Sequence, residues 1–235
     1  IIIANNVFNH SDKPLDFLRG VHNLLKENSI FIFEQPNFTI GVLSLKFDQI
    51  YHEHVSYFTA RNIKSILDYS DLKILSLSKN EYHGGSLRTI VSKKNSSLKE
   101  FKIDKFVNYE NKKNIYKLIF YKKMMKKINL KKKILLTKLN NLSAKGYTVS
   151  GIGAGAKSNT FLTFYGLDNK IIKFLTDSSK FKKNKYTPIS RIIIKDDKEL
   201  INYKKIACII LSWNISSLVI DKIKKLNKKI KIIYT

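Results

Sequence analysis

Short apolar runs that end on polar residues, with helical patterns between them, constrain the fold of this chain most. Residues 1–4 and 30–33 are such runs, and they lead into Asn5 and Glu34. Between them, leucine and valine recur at helical spacing over residues 15–25. Strands that are apolar throughout are typical of sheets covered by helices on both faces. We therefore predict an α/β fold whose first part is the late half of a doubly wound, Rossmann-like sheet.

The second half of the chain repeats this alternation. Predicted strands cover residues 147–150, 171–176, 206–211 and 229–234, and predicted helices lie near residues 161–165, 196–203 and 215–226. This order predicts a second Rossmann-like αβα domain.

A lysine-rich stretch without proline joins the two parts. Residues 99–145 carry apolar side chains at helical spacing and end near Gly146, which predicts one long helix or two consecutive helices. The composition changes near Asn95. We therefore expect two domains, residues 1–95 and residues 96–235.

Polar residues follow the predicted strands of the first part. In doubly wound sheets, ligands bind at the carboxyl ends of the strands. The residues at these ends are Asn5, Asn6, His10, Glu34 and Gln35. A binding site is therefore expected at this edge.

A glycine-rich loop follows the predicted strand at residues 147–150. Residues 151–155 read Gly-Ile-Gly-Ala-Gly, and a helical segment comes next. Such a loop can cradle a phosphate, because backbone N–H groups and the amino end of a helix attract an anion. The Gly-Lys-Ser/Thr order of a Walker A loop is absent, and Ala156 stands where the usual dinucleotide fingerprint has its third glycine.

Residues 47–58 form the most unusual stretch of the chain. They place two histidines, a glutamate, an aspartate and two tyrosines among apolar residues, without the period of a strand or a surface helix. Burial among apolar neighbours can move a pKa into a range that is useful for catalysis. The alternative is a loop whose histidines only bridge structural groups.

Three segments together resemble the sugar C-methyltransferases, which use S-adenosylmethionine (SAM) on nucleoside-diphosphate keto-deoxysugars. They are FDQIYHEHVSYF at residues 47–58, HGGSLR at residues 83–88 and GIGAGAKSNTFL at residues 151–162. The first segment is the specific one, and the glycine segment alone would be weak. Their order and spacing fit the carboxyl-terminal half of that family, including its C-methyltransferase C-terminal domain. The resemblance implies a SAM-methyltransferase sheet in the first domain and a nucleotide-sugar-binding Rossmann-like domain in the second.

The resemblance also implies a reaction and the residues that catalyse it. A carbon beside the ketone must lose a proton, and the resulting enolate attacks the methyl group of SAM. His54 matches the base of the family, Glu53 its adjacent carboxylate and Tyr51 its active-site tyrosine. His10 matches a second active-site histidine. His52 is expected to be structural.

The nucleotide sugar would be held mainly by the glycine loop of the second domain. The residues predicted to bind it are Arg88, Gly153, Lys157, Asn159 and Asp177. Lys157 would act as a point charge on phosphate, and Asp177, at the end of a predicted strand, would bind a ribose or a base edge. Family members more often read Gly-Tyr-Gly-Ala followed by Lys-Gly, whereas Ile152 and Ser158 stand here.

The resemblance places Asn5 and Asn6 where related methyltransferases contact SAM. The family begins with a cysteine-rich zinc module, and its SAM domain opens with a strand and a glycine motif, but this sequence contains neither. We therefore expect a fragment with an incomplete SAM site and no methyl transfer. Zinc is expected only in the upstream module. The abrupt apolar start at residues 1–4 favours the same interpretation.

The charge of the chain does not decide its partners. Lysine and arginine number 44 against 18 acidic residues, a net charge of +26. This excess would suit nucleic acid or an anionic membrane. However, lysine, isoleucine and asparagine are all abundant, as AT-rich coding sequences produce, so we expect neither partner. The single cysteine, Cys208, lies in an apolar run and fits a core position in a reducing cytoplasm.

Two other classes of function compete with the methyltransferase. One is a Rossmann-like module that binds nucleotide sugar without catalysis. The other is an NAD-dependent oxidoreductase, which only the Gly-x-Gly pattern suggests and which the Tyr-His-Glu-His cluster disfavours.

Overall fold

The computed structural model describes residues 1–81 and 84–234. The contacts divide the chain into two compact units. The first consists of residues Ile1–Lys46 and His52–Met125, and the second consists of Phe47–Tyr51 and the chain from Lys126 onward. A short piece of the unusual stretch at residues 47–58 therefore belongs to the second unit, and the remainder of that stretch belongs to the first.

The first unit contains a mixed sheet of four strands. Its strands are β1 (Ile2–Asn5), β2 (Phe31–Pro36), β3 (Leu72–Asn80) and β4 (Ser86–Lys93), and its helices are α1 (Pro14–Leu24), α2 (Phe38–Leu43), α3 (Ala60–Asp68) and α4 (Asp104–Lys112). The strand order is β1-β2-β4-β3. β1 is parallel to β2, whereas β4 is antiparallel to both β2 and β3. The parallel pair brings the carboxyl ends of β1 and β2 to the same edge of the sheet.

Aromatic packing forms the centre of the first unit. Phe8, Phe31 and Phe33 are completely buried. The ring of Phe8 stacks on Phe58 with a centroid separation of 4.8 Å and meets Phe33 edge-on at 5.3 Å. Because rings of this size bury large apolar areas, this cluster holds the end of the unusual stretch against the sheet.

α4 shows why the first unit extends past the composition change at residue 95. The carboxylate of Glu110 on this helix is buried and accepts hydrogen bonds from the backbone N–H groups of Ala60 (2.8 Å) and Arg61 (3.3 Å). It also accepts one from the Thr39 hydroxyl. Glu110 thus satisfies the free N–H groups at the start of α3. Packing ties residues 96–125 to the first unit, and the division falls inside the long helix α5 (Leu118–Ala144).

The second unit contains a fully parallel sheet of five strands, and the predicted Rossmann-like layer is confirmed. The strands are β5 (Thr148–Ile152), β6 (Phe174–Thr176), β7 (Ile194–Lys195), β8 (Ile206–Ile210) and β9 (Lys231–Ile233), with α6 (Ala156–Tyr165) after β5 and α7 (Ser216–Leu226) before β9. Their order is β7-β6-β5-β8-β9. The chain moves to one side after β5 and to the other side after β8. The carboxyl ends of β5 and β8 therefore form the topological switch point, where ligands of doubly wound sheets bind.

β8 is buried along its whole length, as its apolar sequence predicts. Cys208 on this strand is buried, and burial raises the pKa of its thiol to about 12. It is therefore an unreactive core residue, as predicted. Among the described residues, no helix is both long enough and apolar enough to cross a membrane.

Candidate functional site

His10 and His54 come together in the first unit. Their rings are nearly perpendicular, at 80°, with centroids 5.1 Å apart. His10 ends the 3₁₀ turn Phe8–His10 that follows β1, and its side chain is exposed. His54 is buried, with 8% of its surface exposed. The structure thus places a buried imidazole next to a second, accessible one, although the two residues are far apart in sequence.

Backbone hydrogen bonds fix this pair. The carbonyl oxygen of Asn9 accepts hydrogen bonds from the N–H groups of Val55 (3.0 Å) and Ser56 (3.1 Å). The residues directly after His54 are therefore bound to the residue directly before His10. These two hydrogen bonds hold the main chain next to His54 against the main chain next to His10.

Glu53 and His52 lie at the surface of the same unit. Oε1 of Glu53 is 3.8 Å from Nε2 of His52, and their side chains are 52% and 82% exposed. A pair this exposed contributes little to stability. Tyr57, by contrast, lies next to the buried histidine, with its ring centroid 6.3 Å from that of His54.

Polar groups without partners lie at the carboxyl ends of β1 and β2. Gln35 is fully buried and Asn9 is 2% exposed. Within the described part of the chain, neither side chain has a hydrogen-bond partner. Buried amides are rarely left unpaired, so this edge is suited to a polar ligand. Asn5 is exposed at the same edge, and Asn6 has a left-handed backbone (φ 53°) and donates its N–H to the Glu34 carbonyl at 2.7 Å.

Arg88 forms an ion pair with Glu34. Its Nε donates to Oε2 of Glu34 at 2.8 Å, and the same carboxylate accepts hydrogen bonds from Ser86 (2.5 Å) and Asn80 (3.2 Å). Burial of Glu34 opposes its ionisation, but these hydrogen bonds and the charge of Arg88 together lower the pKa of Glu34. The Arg88 side chain remains half exposed. His83, the first residue of the HGGSLR segment, lies outside the described residues.

The glycine loop of the second unit approaches the end of β8 closely. Gly153 has φ +96°, and a Cβ added to it would lie 1.8 Å from Oγ of Ser212. Asp177 follows β6, and its Oδ2 accepts a hydrogen bond from the Ala154 N–H at 2.9 Å. Burial raises the pKa of Asp177, but hydrogen bonds from Ala154, Ser179 and Lys182 outweigh burial and lower it overall. Asp177 is thus an ionised carboxylate that holds the loop against β6.

Lys157 and Asn159 lie in the first turns of α6. The ammonium of Lys157 is 5.5 Å from the ring centroid of Trp213. Desolvation lowers the pKa of Lys157, and the negative charge of Asp48 acts in the opposite direction. Oδ1 of Asn159 is buried without a partner in the described part of the chain. This helix end therefore offers a partly desolvated cation and a buried acceptor.

Asp48 lies near Lys157 and Trp213 because residues 47–51 belong to the second unit. Nε1 of Trp213 donates a hydrogen bond of 2.5 Å to Oδ2 of Asp48. Asp48 is 3% exposed. Tyr51 is the last residue of this segment and is partly buried.

A pocket opens at the carboxyl edge of the second sheet. Its volume is about 310 Å³. Apolar side chains that include Ile152, Val219 and Ile223 line it. The other lining residues are Gly153, Thr176, Asp177, Ser178, Asp197, Ser212 and Lys222. Within the described residues, the buried hydroxyl of Thr176 has no partner. Apolar walls with a few polar groups are typical of small-molecule sites.

Sequence reasoning did not identify Asn9, Asp48 or Trp213 as site residues. Asn9 positions Val55 and Ser56 through its backbone carbonyl, which any residue provides. Asp48 lies within the unusual stretch, but nothing in the local pattern shows that it turns towards residues more than a hundred positions away. Trp213 is the only tryptophan of the chain and directly follows a buried strand, which is the signal that could have identified it.

The amino-acid sequence matches two family profiles. Residues 81–234 match the C-methyltransferase C-terminal domain. The chain belongs to the C-methyltransferase C-terminal domain family. Residues 1–77 match a methyltransferase domain. The predicted resemblance to a C-methyltransferase family is thereby confirmed.

One curated member of this group of proteins aligns with nearly the whole chain. It is the C-methyltransferase NovU of Streptomyces niveus, which is 24% identical over 227 residues. The aligned region covers 96% of this chain and 54% of NovU. The chain thus spans about half the length of the curated relative that it matches.

Proposed function

We propose that this chain carries the proton-abstracting and nucleotide-binding parts of a C-methyltransferase that acts on a nucleoside-diphosphate-linked keto-deoxysugar. The observation that carries the proposal is the paired arrangement of His10 and His54 in the first unit, 5.1 Å apart. It is supported by the signature at residues 47–58 and by the family that matches the second half of the chain.

His54 is the proposed base. A neutral imidazole has a reference pKa of about 6.5 and can accept a proton from a carbon beside a ketone near neutral pH. His10, whose ring is exposed and nearly perpendicular to that of His54, would orient the base or exchange its proton with solvent. SAM, when bound, supplies the methyl group that the enolate carbon takes up.

Tyr51 and Glu53 have supporting roles in this proposal. The phenol of Tyr51 would hydrogen-bond the sugar or the enolate oxygen, because developing negative charge needs a positioned donor. Glu53 would polarise the neighbouring histidines. Its exposed carboxylate, 3.8 Å from His52, supports a contribution smaller than that of His54.

The edge formed by β1 and β2 fits part of SAM. Asn5, Asn6 and Gln35 would hold it, with Asn9 beside them. The support is the unpartnered amides of Gln35 and Asn9, which leave two donors and two acceptors buried without partners in the described part of the chain. Amide groups of this kind suit the polar atoms of an adenosine or an amino acid.

The nucleotide sugar would bind the second unit. Its phosphates would lie on the loop at residues 151–157, near the ammonium of Lys157, and the buried Oδ1 of Asn159 would accept from the ligand. Asp177 fixes the shape of the loop through Ala154 and would offer its remaining lone pairs to a ribose. Gly153 allows close approach, and Arg88 is proposed as a further contact with the sugar or its phosphate.

Deuterium exchange tests the proposed proton abstraction by His54, and it does not require methyl transfer. The chain is incubated with a nucleoside-diphosphate ketosugar in heavy water without SAM, and exchange at the carbon beside the ketone is followed by NMR. His54→Ala should abolish the exchange. His52→Ala is the matched control, because it removes an exposed histidine of the same motif, and exchange should persist. Full exchange in His54→Ala would show that His54 is not the base, and His10 or Glu53 would then be the candidate.

A non-catalytic nucleotide-sugar module is the second candidate. The complete parallel sheet of the second unit and its carboxyl-edge pocket favour it. If calorimetry shows that the chain binds the nucleotide sugar but NMR shows no exchange above the buffer rate, this candidate replaces the first.

A further inference from the structure

The segment Phe47–Tyr51 belongs to the second unit, and its Asp48 binds Trp213 at the topological switch point of that unit. Trp213 begins the 3₁₀ turn that follows β8, and Lys157 lies in the first turn of α6, after β5. Asp48 interacts with both side chains. A crevice between such strands is where doubly wound sheets bind their ligands. Here, part of that crevice is formed by a segment distant in sequence.

Phe47 anchors one end of this segment. Its ring lies 4.7 Å from that of Phe164, 5.6 Å from Tyr165 and 6.0 Å from Phe161, measured between centroids. All three partners are on α6. Contacts of this kind hold a segment in place but leave it free to rotate about the ring, so they do not determine where the following residues point.

The hydrogen bond between Asp48 and Trp213 supplies the missing constraint. The carboxylate of Asp48 is almost completely buried, and a buried charge is costly unless it is paired. The indole Nε1 can only donate, and it donates to this carboxylate at 2.5 Å. The opposite charge of Lys157 lies beside the same indole. Three side chains from separate stretches of the chain therefore neutralise and orient one another.

We propose that Asp48 and Trp213 are positioning residues that seat the segment ending in Tyr51 in the crevice of the second unit. The second unit then determines where the tyrosine of the signature motif lies. Asp48 also reduces the positive charge that Lys157 offers to an anion. The part of this inference that concerns Tyr51 and phosphate rests on the proposed function, whereas the seating of the segment does not.

Hydrogen exchange measured by mass spectrometry tests the seating in the full chain. Trp213→Phe keeps the aromatic ring but removes the donor, so exchange of the amides at residues 48–51 should accelerate about tenfold, the equivalent of one lost hydrogen bond. Asp48→Asn keeps a neutral acceptor and should give a smaller increase. Tyr203→Phe is the control, because it removes a hydroxyl near a carboxylate elsewhere in the unit, 3.4 Å from Glu199. Unchanged protection in both variants, or equal loss over the whole unit, would overturn the proposal.

Pyrophosphate binding tests the effect of Asp48 on charge. By calorimetry, Asp48→Asn should bind pyrophosphate about threefold to tenfold more tightly than the unmodified chain, because one opposing charge is removed beside Lys157. If Asp48 has only a structural role, Asp48→Asn should bind pyrophosphate as tightly as the unmodified chain or more weakly. If no form binds pyrophosphate, the phosphate role of Lys157 in the proposed function fails, and the charge effect of Asp48 on a ligand fails with it; the seating is then judged by hydrogen exchange.

A double-mutant cycle tests whether Trp213 acts through Tyr51. In the deuterium-exchange assay on the ketosugar, Trp213→Phe should lower the maximal rate with little change in KM. The double variant with Tyr51→Phe should be no slower than Tyr51→Phe alone, because a residue that acts through another adds nothing once that residue is removed. Additive losses would contradict the link to Tyr51 even where the seating is supported.

Discussion

Gly153 and Ser212 approach each other so closely that no side chain fits at position 153. The added Cβ would lie 1.8 Å from Oγ, 3.0 Å from Cβ and 3.3 Å from the backbone N of Ser212. Rotation of the serine hydroxyl would relieve only the first overlap. This contact joins the ends of β5 and β8 at the switch point, and it makes the second glycine of the loop a structural requirement.

Gly153→Ala should therefore lower the free energy of unfolding strongly. We expect a loss of about 2–4 kcal/mol from the clash together with the left-handed backbone. Gly146→Ala is the matched control, since Gly146 also has a positive φ (+75°) but has no atom within 4 Å of an added Cβ. It should cost only about 1–2 kcal/mol. Equal losses in urea unfolding would show that the contact with Ser212 is unimportant.

Acid should weaken the first unit through Glu34. The folded pKa of Glu34 is lower than its ordinary value of 4.5, so its contribution to stability is complete above that value and is lost as the pH falls through the folded pKa. Glu34→Gln should cost about 1–3 kcal/mol at pH 7, because its new amide would face the donors of Arg88 and Asn80. The variant should also lose less stability than the parent below pH 4.5. Urea unfolding at pH 7 and below pH 4.5 measures both effects.

Glu100→Gln provides the control for that experiment. Its side chain is 53% exposed and its nearest cation, Lys64, is 3.8 Å away. An exposed pair of this kind contributes little, so the substitution should change stability by less than about 0.5 kcal/mol. If Glu34→Gln were equally mild, the network around Glu34 would be a surface feature and not a structural one.

The sequence predicted the regular elements well where local chemistry determines them. Thr59 directly precedes α3, and its side chain accepts a hydrogen bond from the Asn62 N–H, as threonine commonly does at the start of a helix. The strand at β8 was predicted from an unbroken apolar run. In these cases the residues that form the helix or strand also determine it, so their sequence pattern is sufficient to predict it.

Elements that depend on distant contacts were not predicted. α2 contains Thr39, Ile40, Gly41 and Val42, all weak helix formers. Distant contacts hold it, because the Thr39 hydroxyl donates to Glu110 and the Asn37 N–H donates to the Gly85 carbonyl. β7 has only two residues and exists through its pairing with β6. The seating of Asp48 against Trp213 also joins residues far apart in sequence. No local period can encode such contacts, which is why the sequence suggested residues for the site but not that Phe47–Tyr51 belongs to the second unit.

Glu110 should be essential to the stability of the first unit. Its carboxylate accepts hydrogen bonds from the backbone N–H groups of Ala60 and Arg61 and from the Thr39 hydroxyl. It also accepts one from the phenol of Tyr116, at an oxygen–oxygen distance of 2.5 Å. Glu110→Gln would turn an acceptor into a donor among these groups and should cost about 2–4 kcal/mol in thermal or urea unfolding. A loss below about 0.5 kcal/mol, as expected for exposed Glu100→Gln, would contradict this role.

Tyr116 should report on the same network at high pH. Burial and the hydrogen bond to Glu110 raise the pKa of Tyr116 to about 12. Its stabilising contribution is therefore complete below its ordinary pKa of 10 and is lost as the pH rises through about 12. In Glu110→Gln, the phenol should ionise at lower pH. Absorbance of phenolate, compared with a Tyr116→Phe variant to identify the signal, measures the shift, and an unchanged titration would contradict the link.

Lys157 provides the last prediction, on nucleotide binding. Lys157→Ala should weaken binding of a nucleoside-diphosphate sugar, because it removes a partly desolvated cation from the end of α6. Its remaining affinity should depend less on salt than that of the parent, since one fewer charge is screened. Lys170→Ala is the matched control: it removes the same charge from an exposed position of the same unit. Calorimetry at low and high salt separates a direct contact between Lys157 and the nucleotide sugar from the general attraction of the positively charged chain for it. If both substitutions weaken binding equally, the high net charge of +26 attracts the ligand and the glycine loop does not select it.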